Sequence, residues 1–188
     1  MRLTLMFAAL AVLTACSAGD NAPSPRATFG LGRTPSAAEL AALDIDIDTT
    51  GRGLPDGHGT AAEGAVVYAQ QCASCHGAKG EGINPAPALI TRPGEPADTT
   101  PRGRAPRTIG NYWPYATTIF DYVRRAMPIN APGSLSAEAT YSVVAYLLNE
   151  NGIIAAADTM SARTLPAVAM PARHLFVPDN RSGGSAFR

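Results

Sequence analysis

Residues 72–76 read Cys72-Ala73-Ser74-Cys75-His76, and this pentapeptide decides the fold that we expect for the chain. Two thiols three positions apart, followed at once by a histidine, are typical of covalent haem attachment. In that arrangement Cys72 and Cys75 form thioether bonds to the two vinyl groups of a haem, and His76 becomes an axial ligand of its iron. The motif occurs once in the sequence, which therefore predicts one covalently bound haem c.

Two other kinds of site use closely spaced cysteines, and the surrounding sequence disfavours both. A thioredoxin-type dithiol follows a strand in a βαβ unit, whereas Gly- and Ala-rich helical sequence surrounds these cysteines. A structural zinc ion takes four ligands, and the remaining candidates, Cys16, His58 and His174, are far away in the sequence. Haem attachment is therefore the interpretation that the motif favours.

The beginning of the chain resembles a bacterial export signal, which we assign to residues 1–15. A short positive stretch, Met1-Arg2, precedes an apolar segment that is too short to span a bilayer, since a spanning helix needs about 20 residues. The segment ends in Leu13-Thr14-Ala15-Cys16, which is typical of lipoprotein signals that are cleaved before a lipidated cysteine. We therefore expect lipidation of Cys16, with an ordinary signal peptide and an incidental Cys16 as the alternative. Either signal predicts export to the periplasm, and Ser17 after the cysteine favours the outer membrane.

The composition is that of one modest domain with long extensions. Fifteen basic and fifteen acidic side chains leave a formal net charge of zero, which argues against nucleic acid as a partner because such binding needs a basic stripe. The 18 glycines and 16 prolines together exceed average usage. Only 6% of the residues are aromatic, so we expect a small packed core in which a haem replaces part of the side-chain volume.

Residues 16–59 are predicted to form a flexible tether followed by an N-terminal arm. Ser36-Ala37-Ala38-Glu39 has the spacing of a capping box and predicts a short helix that ends near Leu43. The alternation of Asp and Ile in Asp44-Ile45-Asp46-Ile47-Asp48 predicts a short strand with a solvated face. Residues 51–59 are rich in glycine and are predicted to be a loop.

Three helices are predicted in residues 60–152, over about 60–72, 115–126 and 136–149. The first opens with the capping box Thr60-Ala61-Ala62-Glu63, and the second is stopped by Met127-Pro128. Gly64 lies inside the first helix, where glycine costs about 1 kcal/mol relative to alanine, so we expect the third helix to approach it closely. Helices on both sides of a haem-attachment segment predict an all-α fold, the class I cytochrome c domain.

Residues 153–188 are predicted to form a C-terminal arm. The arm contains several prolines and shows no clear periodicity. It nevertheless holds apolar residues that a wholly disordered tail lacks, namely Leu165, Val168, Phe176 and Val177. The arm therefore either wraps its own domain or buries these side chains against a partner, and the sequence leaves both interpretations open.

The second axial ligand of the iron is expected to be Met127. This methionine lies at the end of a predicted helix, and the proline that follows it rigidifies the loop. Met170 is also followed by proline but comes after the last predicted helix, and His58 and His174 are further alternatives. Ligation by one histidine and one methionine raises the reduction potential relative to two histidines and leaves no open position at the iron. Such a centre transfers electrons.

Other groups are expected to hold the proximal histidine and the haem propionates. The carbonyl of Pro87 is the predicted acceptor for the second ring nitrogen of His76, with that of Pro85 as the alternative. Three aromatic side chains with polar tips either bind the propionates or pack on the haem: Tyr112, Trp113 and Tyr115. Three arginines form a basic run that is either a solvated face or a partner for the propionates: Arg102, Arg104 and Arg107.

Several segments resemble the cytochrome c subunit of bacterial sulfite dehydrogenases, a family that includes the cytochrome subunit of the sulfur-oxidising (Sox) sulfane dehydrogenase. The most specific similarity is in residues 110–128, which begin Gly110-Asn111-Tyr112-Trp113-Pro114 and end Ala126-Met127-Pro128. Shorter similarities cover residues 29–33, 42–46, 53–55, 165–173 and 176–179. Together they extend over most of the chain that follows the signal.

The resemblance implies a site and a function. Carried over to this sequence, the haem site consists of Cys72, Cys75, His76 and Met127. The resemblance also implies a separate molybdenum-cofactor subunit that oxidises sulfite or sulfane sulfur. This chain would then be a non-enzymatic electron-transfer subunit, accepting those electrons and passing them to another cytochrome or an oxidase, with Arg124, Arg125 and the Met127 loop as candidate docking residues. The alternative is a free-standing lipoprotein electron carrier for an unrelated periplasmic dehydrogenase.

Overall fold

The structure, a computed structural model, describes residues 29–95 and 106–177. The export signal, Cys16, Arg102 and Arg104 lie outside the described residues. The chain divides into two units, Met1–Leu40 and Ala41–Arg188, and the second unit contains the cysteine motif and the hydrophobic core. No helix in the described part of the chain has the length and apolar character needed to cross a membrane.

The predicted helical fold is confirmed, with one small sheet added to it. Within the described ranges six helices occur: α1 (Ala37–Leu43), α2 (Ala61–Gln71), α3 (Ala73–His76), α4 (Ile109–Tyr112), α5 (Ala116–Ala126) and α6 (Ala137–Glu150). Strands β1 (His58–Thr60) and β2 (Thr159–Ser161) pair antiparallel. Two 3₁₀ helices, Leu165–Ala167 and Pro171–Leu175, follow β2.

The predicted capping boxes begin α1 and α2 as expected. At α2, the Thr60 hydroxyl accepts a hydrogen bond from the Glu63 amide (3.4 Å), while the Glu63 carboxylate accepts one from the Thr60 amide (2.9 Å). Ser36 and Glu39 make the same exchange at α1, with distances of 3.3 and 2.8 Å. Helix α1 buries none of its residues, so its cap supports the helix locally and adds nothing to the core.

Helices α2 and α6 cross at Gly64, as the glycine inside the first predicted helix indicated. A Cβ atom at Gly64 would lie 1.8 Å from the backbone oxygen of Ser142, and one at Gly59 would lie 2.3 Å from the Ser142 amide nitrogen. Strand β1 and helix α2 therefore both rest on one turn of α6. The core grows from this contact, and its largest fully buried side chains include Tyr68, Phe120, Tyr141 and Leu148.

The strand predicted over residues 44–48 is wrong. The Asp48 carboxylate accepts hydrogen bonds from the amides of Thr50 (2.8 Å) and Arg52 (3.0 Å), which folds the chain into a turn. The Ile47 amide donates to the Asp121 carboxylate (3.1 Å) instead of to a neighbouring strand. The alternation of Asp and Ile reflects burial alone, because Ile47 is buried while Asp46 faces solvent.

The predicted loop over residues 51–59 is also partly wrong, because His58 and Gly59 belong to β1. Their partner strand belongs to the C-terminal arm, with Gly59 opposite Met160. The first 3₁₀ helix then packs against α5 and buries Leu165 completely, Val168 packs on the core, and Phe176 contacts Tyr112 with ring centroids 5.6 Å apart. The described part of the arm therefore wraps its own domain. Of the four apolar residues singled out in the sequence analysis, only Val177 is largely exposed.

Candidate haem site

The two cysteines of the motif lie on one helical turn. Helix α2 ends at Gln71, Cys72 follows as its C-cap, and α3 is the single turn that carries Cys75 and His76. Side chains three positions apart on a helix are neighbours, so both thiols face the same region. Cys72 is half-buried and Cys75 exposed, and neither forms a disulfide. Burial, and to a smaller extent the neighbouring Cys75, raises the pKa of the Cys72 thiol to about 11.

The ring of His76 is held by a backbone carbonyl. Its Nδ1 atom lies 2.9 Å from the oxygen of Pro87, so the acceptor is Pro87 rather than Pro85. Because a carbonyl oxygen only accepts, Nδ1 carries the proton and Nε2 keeps its lone pair in the neutral ring. Metal-binding histidines typically use one ring nitrogen for the metal and the other for such an acceptor. The ring is thus oriented and protonated as an iron ligand requires.

The loop that carries Pro87 folds back onto the motif. The Gly82 amide donates to the His76 oxygen (2.7 Å), and the Leu89 amide donates to the Gly80 oxygen (2.8 Å). Gly82 has a φ of +81°, and a Cβ atom there would lie 2.6 Å from the Ala88 amide nitrogen. Glycine is therefore required at this position, because only glycine adopts this backbone conformation and allows the approach of residue 88.

Tyr68 holds the backbone that follows the cysteine motif. Sequence analysis did not identify it as a site residue. Its buried hydroxyl donates to the Gly77 oxygen (2.8 Å), one residue after His76. Its ring packs against that of Tyr146 with centroids 5.0 Å apart, and burial raises the pKa of its hydroxyl. The signal in the sequence was its position on the apolar face of α2, four residues before Cys72.

Met127 lies at the end of α5, where its amide donates to the Val123 oxygen (3.1 Å). Its side chain is partly buried and packs at the edge of the core. Met160 and Met170 differ from it, because both are almost fully buried within the apolar core, with exposed fractions of 4% and 5%. His58 and His174 are exposed, and Nδ1 of His174 lies 2.8 Å from the Pro171 oxygen.

Two comparisons with known proteins agree with this geometry. Residues 59–147 match the family model described as cytochrome c oxidase, cbb3-type, subunit III. A chain in the crystal structure of the sulfane dehydrogenase SoxCD from Paracoccus pantotrophus is 38% identical, with a TM-score of 0.71, and the match covers 82% of this chain and 74% of that one. This chain belongs to the c-type cytochromes of the sulfite and sulfane dehydrogenase family. No curated protein sequence matches it.

Membership in this family implies haem c, and the residues present fit that group. The cytochrome offers two thiols on one helical turn, an imidazole with Nε2 left for a metal, and a half-buried thioether. In haem c proteins, two thiols bond to the vinyl groups of the haem, while an imidazole and a thioether are common ligands of its iron. Within the part of the chain that the structure describes, no cluster of three His, Cys, Asp or Glu side chains could hold a separate metal ion.

The aromatic residues proposed for the propionates make packing contacts in this cytochrome. Tyr112 lies on α4, with the Arg107 guanidinium 4.5 Å from its ring centroid. The Trp113 ring lies 5.9 Å from that of Tyr122, and the Arg173 guanidinium lies 4.6 Å from the ring centroid of Tyr115. These contacts are with protein groups, so binding of the propionates and packing on the haem both stay predictions for the three rings.

Helix α4, which carries Tyr112, was not predicted, although its sequence contains a start signal. The Thr108 amide donates to the Asn111 side chain (2.8 Å), and the Asn111 amide group donates to the Pro106 oxygen (2.9 Å). The two residues form a capping box in which asparagine replaces the usual Glu or Gln. The helix has only four residues, too few for a periodic pattern to reveal it.

The two arginines proposed for docking have different surroundings. Arg125 forms salt bridges with Asp121 and with Asp46, the latter at 3.4 Å, and hydrogen bonding to Asp121 is the main reason that the pKa of Arg125 is raised. Arg124 is half-buried on α5. Arg125 is thus engaged within its own domain, and both arginines stay candidates for an external contact.

Proposed function

We propose that this cytochrome carries a single haem c, attached through Cys72 and Cys75, with His76 and Met127 as axial ligands. The proposal is supported by the shared helical turn of the thiols, by the Pro87 carbonyl that leaves Nε2 of His76 for the iron, and by the partly buried Met127. The haem, when bound, supplies a one-electron couple of ferric and ferrous iron. Because two protein ligands fill both axial positions, the site favours electron transfer over the binding of a substrate.

The electron donor in this proposal is a molybdenum-cofactor subunit that oxidises sulfite or sulfane sulfur. The cytochrome accepts the electrons one at a time and passes them to another cytochrome or a terminal oxidase. The observation that carries this proposal is the 38% identity to a chain of the sulfane dehydrogenase SoxCD over 82% of this chain.

The surface around the Met127 loop offers contacts for such a donor. Ile129, two residues after Met127, is 75% exposed, and Tyr122 on α5 is 47% exposed. Exposed large apolar side chains of this kind mark candidate contact sites when they occur together with a charged residue such as Arg124. Close contact at this loop would place the donor near the proposed haem.

The donor is tested by mixing the purified, oxidised cytochrome with sulfite, with and without a molybdenum-cofactor sulfite or sulfane dehydrogenase subunit from the same organism. We expect haem reduction only when that subunit is present, because in this proposal the subunit, and not the cytochrome, oxidises sulfite. In the variant Ile129→Lys the rate should fall about tenfold, since about 1.4 kcal/mol of lost contact energy corresponds to that factor. Absorbance of the ferrous haem gives the rate.

The matched control is Val66→Lys, which changes an exposed valine on α2 (58% exposed) and should leave the rate unchanged. If the haem stays oxidised while the subunit is catalytically active, and the two proteins do not co-purify, the proposed donor is wrong. The cytochrome would then be a free-standing electron carrier for a different periplasmic dehydrogenase.

We also propose that the cytochrome is periplasmic and anchored to a membrane, preferably the outer one, through lipid on Cys16. The support is the sequence Leu13-Thr14-Ala15-Cys16 after a short apolar segment. One acyl chain binds a membrane only marginally, whereas two or three chains give a stable anchor. In cells that express the full chain, Cys16→Ser should move the haem-loaded protein from the membrane to the soluble fraction, while Ser17→Ala should not. Wild-type protein that is soluble and free of lipid by mass spectrometry would exclude the anchor.

A further inference from the structure

A single amide at the end of α6 makes every hydrogen bond that its chemistry permits. The Asn151 Nδ2 group donates to the oxygens of Leu147 (2.8 Å) and Leu89 (3.3 Å). The Asn151 Oδ1 atom accepts from the amide (2.9 Å) and the hydroxyl (3.1 Å) of Thr91. A carboxamide has two donor hydrogens and two acceptor positions, so all four are used.

Asn151 binds both ends of the short segment 89–91, through the Leu89 oxygen and the Thr91 amide. It thereby attaches residues 89–91 to the end of α6. Since Asn151 also donates to Leu147 in the last turn of that helix, the attachment is rigid on both sides.

The same segment is also bound to the turn that follows His76. The amides of Leu89 (2.8 Å) and Ile90 (3.2 Å) both donate to the Gly80 oxygen, and the Leu89 oxygen accepts from the Ile109 amide (3.1 Å). Leu89 lies two residues after Pro87, whose oxygen holds the His76 ring. The position of that oxygen is therefore set by a segment that Asn151 holds in place.

Helix α4 closes over this attachment at Gly110. A Cβ atom at Gly110 would lie 2.5 Å from the Thr91 hydroxyl oxygen and 2.8 Å from Asn151 Oδ1. The Thr91 hydroxyl also contacts that of Thr108, which is 1% exposed, at 2.5 Å. Glycine at position 110 thus lets α4 approach the amide closely, and a larger residue there would push Thr91 and Asn151 apart.

We propose that Asn151 is a positioning residue for the proximal histidine and, through it, for the reduction potential of the haem. Asn151 keeps the Pro87 oxygen at hydrogen-bonding distance from Nδ1 of His76. That hydrogen bond makes the imidazole a stronger electron donor, which stabilises the ferric state. Loosening the attachment should therefore raise the potential. The inference rests on the haem site proposed above.

The test compares Asn151→Asp with Asn149→Asp in the purified haem-loaded cytochrome. Asn151→Asp keeps the size of the side chain but replaces its two N–H donors with an oxygen that faces the Leu147 and Leu89 carbonyls. The negative charge of the new carboxylate by itself favours ferric haem, opposite to the expected rise in potential, and Gly110→Ala repeats the test without adding a charge. Asn149 lies two residues earlier, and its Nδ2 group donates to the Ile154 oxygen (3.0 Å), outside the Pro87 loop. Both variants lose a hydrogen-bond donor near the end of α6, so both should unfold at a lower temperature.

Of the two asparagine variants, only Asn151→Asp should change the properties of the histidine. We expect its ferrous form to be favoured at least threefold more than in the wild type, which is about 28 mV at 59 mV per tenfold change. The His76 ring N–H proton, followed by NMR in the ferrous protein, should exchange with water at least tenfold faster. Gly110→Ala should produce both changes in the same direction, and Asn149→Asp should produce neither.

Three outcomes would contradict these proposals, and each has a different meaning. If Asn151→Asp and Gly110→Ala lower the unfolding temperature but leave the potential and the proton exchange as in the wild type, Asn151 has only a structural role. If Asn149→Asp raises the potential equally, the effect is a general one of the helix end, and the proposal is wrong. A wild-type protein that fails to bind haem, or whose haem spectrum survives replacement of His76, would instead overturn the proposed haem site itself.

Discussion

Replacing Met127 with leucine is expected to lower the reduction potential of the haem by on the order of 0.1 V, within the roughly 0.8 V range over which axial ligands set haem potentials. Leucine matches the volume of methionine, so the core edge stays packed, but it removes the thioether that stabilises ferrous iron. The weak long-wavelength charge-transfer band of the ferric protein should disappear at the same time. Both effects are measured on purified protein by redox titration and absorbance.

Met160→Leu and Met170→Leu provide matched controls for this prediction. Both methionines lie in the apolar core, and a volume-conserving change there costs less than about 1.5 kcal/mol of stability. Neither variant should alter the band or the potential. If Met170→Leu removes the band and Met127→Leu does not, Met170 is the ligand. If all three variants keep the wild-type spectrum, the sixth ligand is not a methionine, and His58 and His174 become the candidates.

Replacing Gly64 with alanine is expected to lower the free energy of unfolding by about 1–3 kcal/mol, as overpacking of a tight contact does. The new Cβ atom would lie 1.8 Å from the Ser142 oxygen and 2.7 Å from the Tyr146 Cβ atom, so α2 and α6 must separate. The loss occurs although alanine favours an isolated helix by about 1 kcal/mol over glycine. Denaturant unfolding of the haem-loaded protein measures the change.

Two controls identify the cause of that loss. Ala65→Gly, at the next and exposed position of α2, should cost about 1 kcal/mol from helix propensity alone. Adding Ser142→Ala to Gly64→Ala should restore nothing, because the clash is with the backbone of Ser142. A Gly64→Ala protein that is more stable than the wild type would show that α2 and α6 do not meet at this glycine.

Interactions between residues a few positions apart could be predicted from the sequence. The spacing of Cys72, Cys75 and His76 predicted haem chemistry, and the spacing of Thr60 and Glu63 predicted the start of α2, because one helical turn brings such residues together whatever the rest of the chain does. Gly64 predicted a close helix contact for a related reason, since a glycine inside a helix needs packing to compensate its cost. Local geometry was sufficient in each case.

Interactions between distant residues were decided only by the tertiary structure. Among the residues that the structure describes, no strand pairs with the segment 44–48, whereas His58–Thr60 forms a strand because the C-terminal arm supplies Thr159–Ser161 as its partner. Leu165, open in the sequence to either a partner or its own domain, is buried beneath α5. A three-residue strand has no recognisable period of its own, so pairing across about 100 residues determines whether it forms.

The surroundings of the proposed haem ligand His76 also combine local features, which the sequence predicted, with distant contacts, which it did not. Elementary chemistry of the sequence was enough to select His76 as a ligand and a proline carbonyl as its acceptor. That Asn151 holds the segment after this proline, 64 residues beyond Pro87, followed only from the fold, because an asparagine near a helix end has no signature that distinguishes it from Asn149. The spacing of residues along the chain thus determined which of them are proposed to hold the haem. Hydrogen bonds between distant residues determined how the segment next to the proposed ligand His76 is fixed.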